Sequence, residues 1–83
     1  MNMDRKLVYD RIDVERDYQE SLGGDRTDGH FRSVGDELVL LDVYLRRAFE
    51  AWANNAGDAK ALEGIVKVAA IAIRSLENHG IGG

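Results

Sequence analysis

At 83 residues the chain is one small domain at most, and a core of that size is marginal by itself. It contains no Cys, which excludes a disulfide framework, thiolate zinc sites and a cysteine nucleophile. Fifteen acidic residues against 11 basic ones give a net charge of −4, which argues against a protein whose main task is non-specific grip on nucleic acid or an anionic membrane.

The N-terminal MNMDRKLVYD lacks the apolar run of a signal peptide, and no stretch of about 18 apolar residues is present to span a bilayer. A cytoplasmic protein is expected, with no membrane partner and no direct DNA binding. The first periodic segment runs from about Asp4 to Leu22. At about 100° per residue, Leu7, Val8, Ile12, Val14, Tyr18 and Leu22 fall within about 160° of arc, the pattern of an amphipathic helix. Asp4 is placed as its N-cap, and Gly23-Gly24 as its stop. Arg11, Glu15 and Gln19 lie at i, i+4 and i+8 inside the apolar arc. Charges there must be paired. They read either as a partly buried Arg11–Glu15 pair or as the polar wall of a ligand pocket.

Residues 23–33, GGDRTDGHFRS, have no period and read as a loop. It is longer than the usual helix connection. Its glycines do not make a P-loop, because the G-K-[ST] ending and a preceding strand are missing. Arg26, His30 and Arg32 could still close over a phosphate; a plain linker is the alternative.

The second helix is predicted over about 34–55. Ser33 and Asp36 supply a capping box at its start. Leu38, Leu41, Leu45, Ala48, Phe49 and Trp52 form its main stripe, while Val39, Leu40 and Val43 point elsewhere. A helix apolar on opposite faces wants cover on both. Either the first helix supplies it, or other copies of the chain do. Asp42, at the edge of the stripe, is expected to pair with an Arg from a neighbouring helix. Arg46-Arg47 reads as solvated or salt-bridged surface.

The third helix is predicted over about 59–78, with Asp58 as cap. Leu62, Ile65, Val66, Ala69, Ile73 and Leu76 form its stripe. Ala61, Gly64, Val68, Ala72 and Ser75 form a small-residue strip against which another helix could approach closely. Glu63, Lys67, Arg74 and Asn78 read as a solvated face. Gly80-Ile81 reads as a Schellman stop, with His79 beside the helix C-terminus. The short turn near Gly57 makes helices two and three an antiparallel pair. The chain is therefore expected to be all-α: a single helical domain, residues 1–83, assembling into an oligomeric helical bundle.

The segments Val14-Glu15-Arg16-Asp17-Tyr18-Gln19 and Lys67-Val68-Ala69-Ala70-Ile71-Ala72, with Glu77-Asn78-His79-Gly80, resemble a group of small phage proteins. Those are similar to the MazG-like, all-α NTP pyrophosphohydrolases. The resemblance implies helices bundled into dimers or tetramers, and carboxylate motifs (E-E-x-x-E, then E-x-x-D) that hold Mg²⁺ against a nucleoside triphosphate. Asp36-Glu37 could stand for the first two acids, but Leu40 takes the place of the third. Glu63 could open the second motif, but its i+3 position is Val66. Fewer carboxylates weaken Mg²⁺ binding and leave triphosphate charge uncompensated.

Three functions follow as expectations. The first is a non-enzymatic, phage-type protein holding a nucleotide or nucleotide-derived signal at an oligomer interface, possible counteraction of host defence included. Its ligand-binding residues are Arg11, Glu15, Tyr18, Gln19, Arg26, His30, Arg32, Lys67 and Arg74, with Phe31 or Tyr44 as further stacking rings and no catalytic residue or cofactor. The second is a Mg²⁺-dependent NTP pyrophosphohydrolase with an altered metal set, Asp36, Glu37 and Glu63. The third is an inhibitor that binds a host defence protein through the acidic surface Asp10, Asp13, Asp17 and Glu20.

Overall fold

A computed structural model describes residues 3–22, 33–55 and 57–82. The described residues form three α-helices and no strand: α1 (Arg5–Ser21), α2 (Val34–Ala53) and α3 (Asp58–His79). The expected loop falls outside the described residues except for Ser33.

Local chemistry sets the helix ends. Ser33 caps α2 with a complete capping box: the Asp36 backbone N–H donates to Ser33 Oγ at 3.0 Å, and the Ser33 N–H donates to Asp36 Oδ2 at 3.2 Å. Asp4 occupies the N-cap of α1 without a side-chain bond. Helix α2 stops short of the expected residue 55, because Asn55 turns to φ 62°. Asp58 is not the cap of α3. Gly57, at φ 95°, takes that place, in a conformation that L side chains rarely adopt. Asp58 sits instead in the first turn, where its carboxylate suits the helix dipole and accepts a 3.1 Å bond from Trp52 Nε1. At the other end Gly80 has φ 84° and its N–H donates to Leu76 O at 2.7 Å. The further bond of a Schellman motif is absent among the described residues, and Ile81 is 87% exposed. The apolar contact that accompanies a Schellman stop does not form at Ile81.

The packing differs from a closed bundle. Helix α3 is the middle element. It packs against α1 on one side and α2 on the other, and no Cα of α1 comes within 8 Å of one in α2. Helix α1 therefore does not cover the second face of α2. Val39 remains 65% exposed and Val43 36%, with Leu40 half-buried. Among the described residues the buried apolar core is small: Ile12, Ala48, Ala70 and Ile71.

The small-residue strip of α3 is already in use within the chain. A Cβ added to Gly64 would stand 2.6 Å from the Ala48 Cβ, so these two helices meet with backbone close to backbone. The consequence is a rotation of each helix relative to its hydrophobic stripe. Gly64 lies about 150° round α3 from the Leu62–Leu76 stripe, and the buried side of α2 is turned by about 80° from its own. Leu38, Leu45, Phe49 and Trp52 of α2, and Leu62, Ile65 and Leu76 of α3, are all left exposed.

Candidate functional site

Charged side chains occupy the seams that the stripes vacate. Between α2 and α3, Glu37 is 2% exposed and Arg74 5%, with Arg74 Nη2 donating to Glu37 Oε1 at 3.4 Å. Glu37 appears in the capping turn of α2 and Arg74 near the end of α3. Ala48, further along α2, meets Gly64, nearer the start of α3. Arg74 was expected on a solvated face. It is buried because α2 leans on that side of α3, and only Glu63 and Lys67 of that row are exposed.

The α1–α3 seam carries a second polar set. Arg16 is buried and grips Glu77 with two bonds, Nη2 to Oε1 at 2.8 Å and Nε to Oε2 at 3.2 Å. Its Nη1 lies 3.8 Å from Glu20 Oε2. This fork-to-carboxylate geometry is specific as well as strong. Sequence reasoning passed over Arg16 as a functional residue. The available signal was its position one turn after Ile12, about 40° away on the wheel.

Of the residues expected to bind a ligand, four are contiguous. Arg11 Nη1 stands 4.0 Å from Glu15 Oε1, with Arg11 half exposed and Glu15 buried. Gln19 Nε2 donates to Glu15 Oε2 at 3.3 Å and to the Lys67 carbonyl at 3.4 Å. The buried Gln19 Oε1 and Glu37 Oε2 have no hydrogen-bond partner among the described residues. Tyr18 is exposed on the same side of α1 as Arg11. Arg74 is not part of this set, since it is turned to Glu37. Arg26, His30, Phe31 and Arg32 lie outside the described residues. Tyr44 is half-buried and carries the Arg47 guanidinium 4.9 Å above its ring.

The alternative metal set is not brought together. Asp36 serves the cap of α2, Glu37 faces Arg74, and Glu63 stands 3.8 Å from Lys60. Among the described residues no group of three or more His, Cys, Asp or Glu gathers in a way that could hold a metal ion. Asp42 does not reach a neighbouring helix. Arg46, one turn along α2, is nearer and bonds it at 2.9 Å. On the acidic face of α1, Asp10 pairs with Lys6 at 3.1 Å.

One long depression opens between α2 and α3. It has a volume of about 460 Å³ and is lined by Val34, Leu38 and Leu41 from α2 and by Ala72, Leu76 and His79 from α3, with Glu37 also on its lining. No described helix is long and apolar enough to cross a membrane. The chain matches no known family model, no curated protein and no solved structure.

Proposed function

We propose that this chain is a non-enzymatic binding protein that works as a homo-oligomer of helical units and holds a nucleotide-type ligand. In this reading α2 and α3 are an antiparallel pair. The pairings Glu37 with Arg74 and Ala48 with Gly64 support that sense, since the partner number falls as the α2 number rises.

The observation that carries the reading is uncovered apolar surface. Large apolar side chains stand open on every helix, among them Leu7, Val14, Leu38, Phe49 and Leu62. Where such side chains adjoin, a monomer rarely leaves them uncovered.

The ligand reading rests on the α1–α3 seam. Arg11 and Lys67 are accessible cations beside it, Gln19 ties the two helices there, and Tyr18 offers an exposed ring. Cations for phosphate beside a ring for a base are the chemistry a nucleotide requires.

Two measurements on the purified full chain test this reading: its mass in solution, and the small molecules it releases, identified by mass spectrometry. The expected result is a multiple of 9.2 kDa carrying nucleotide in stoichiometric amount. A monomer overturns the oligomer. An assembly that releases no nucleotide, and takes up neither ATP nor a cyclic dinucleotide on titration, overturns the ligand.

A further inference from the structure

The two displaced stripes lie on one side of the helical layer. Leu38 and Leu41 of α2 and Ala72 and Leu76 of α3 line the same groove, so the residues that continue each row share that side. On α2 the row runs on through Leu45 and Phe49; on α3 it runs back through Ile65 to Leu62. All six of Leu38, Leu45, Phe49, Leu62, Ile65 and Leu76 are exposed. Between Leu38 and Trp52, and between Leu62 and Leu76, no charged residue falls within either row. Asp42 stands at the rim, while Glu63, Lys67 and Arg74 are on the far side of α3.

We infer that this α2–α3 face seats a second copy of the same chain, packed face to face about a two-fold axis. The inference rests on the reading that the chain self-associates, and it assigns the surface. Two observations select a second copy as the occupant. The two rows carry no charge between Leu38 and Trp52 or between Leu62 and Leu76, so a two-fold arrangement lays them on each other without burying like charges, with Asp58, bonded to Trp52, at the end of the face. Phe49 and Trp52, with ring centroids 6.5 Å apart, supply the large aromatic anchors that dominate such interfaces.

The other candidates for this role are weaker. The small-residue strip is filled by Ala48 of the same chain. Val39 and Val43, apolar on the opposite edge of α2, are interleaved with Asp36, Arg46, Arg47 and Glu50, so a partner there would have to desolvate charges.

The test compares the wild-type chain with Leu45→Glu, Ile65→Glu and Val39→Glu by solution mass, with helicity from circular dichroism as the folding control. The altered side chains are half or more exposed, and the helicity measurement shows whether each chain keeps its fold. The single Trp reports the same event, because Trp52 emission shifts to the blue when the face is covered. The expected result is an assembled wild type and Val39→Glu, and helical 9.2 kDa monomers with red-shifted emission for Leu45→Glu and Ile65→Glu. An assembled wild type whose mass survives both of those changes but not Val39→Glu overturns the assigned face and leaves self-association standing. A wild type that stays monomeric overturns self-association itself.

Discussion

The α2–α3 and α1–α3 seams can be set against the outer α2–α3 face. In the seams, Glu15, Arg16, Glu37 and Arg74 are buried. On the face, Leu38, Phe49, Leu62 and Leu76 are half or more exposed. A lone globular domain does the reverse. The contrast teaches that the two kinds of contact have different jobs. Charged pairs are directional and penalise a slipped register, so they can align helices that share few apolar contacts. Hydrocarbon is non-directional, and an open row of it is the surface that the proposed second copy would cover.

The largest expected effect breaks the seam. Arg74→Met leaves Glu37 buried without its cation, and loss of one member of a buried pair costs about 3–5 kcal/mol. Unfolding in urea at a fixed protein concentration measures it. The double change Glu37→Leu with Arg74→Met removes both charges and is expected to recover most of the loss. If Arg74→Met costs less than about 1 kcal/mol, the pair behaves as a surface ion pair, and the contrast between seam and face disappears.

A smaller effect sharpens the account of why the stripes are displaced. Gly64→Ala puts a Cβ 2.6 Å from that of Ala48. Both carbons are fixed to backbone, so the helices must separate or rotate. Overpacking of this kind costs about 1–3 kcal/mol, against a gain of about 1 kcal/mol in helix propensity. A net loss in thermal stability is expected, and Ala48→Gly in the same chain is expected to restore the close approach. A Gly64→Ala variant more stable than wild type would show that the approach is not what orients α3.

These two sites also show how far the amino-acid sequence could be read. The three helices, the capping box at Ser33 and the stop before Gly57 follow from local chemistry, and the structure has them. The Arg11–Glu15 pair follows from helical spacing alone, and it forms. What periodicity could not supply was the choice of packing face. The widest apolar stripe normally turns inward, and here Gly64 and Ala48 allow a closer approach on another side. The burial of Arg74 is a consequence of that rotation, and no feature within α3 announces it. The Glu37–Arg74 pairing is equally non-local, because it joins residues on different helices through a register that only the folded chain defines. The placement of Arg26, His30 and Arg32 lies outside the described residues, so the loop part of the expected ligand site adds nothing to the geometry.

The smallest effect belongs to the rim of the face, where a charge stands outside the seams at the edge of the apolar row. Asp42 and Arg46 form a 2.9 Å pair with both side chains more than half exposed. Such i, i+4 pairs contribute about 0.3–0.5 kcal/mol, because water screens them and two long side chains lose freedom. Asp42→Ala is therefore expected to change the stability of a single chain by no more than that, and raising the salt should erase the difference. Its position gives the measurement a second use. Asp42 borders Leu38, Leu45 and Phe49, so in a face-to-face pair it sits where solvent is partly withdrawn and screens the pair less. Repeating the measurement across protein concentration separates the two settings. A difference that stays small at every concentration places Asp42 at an open rim. One that grows as the chain concentrates shows the partner's surface closing over it.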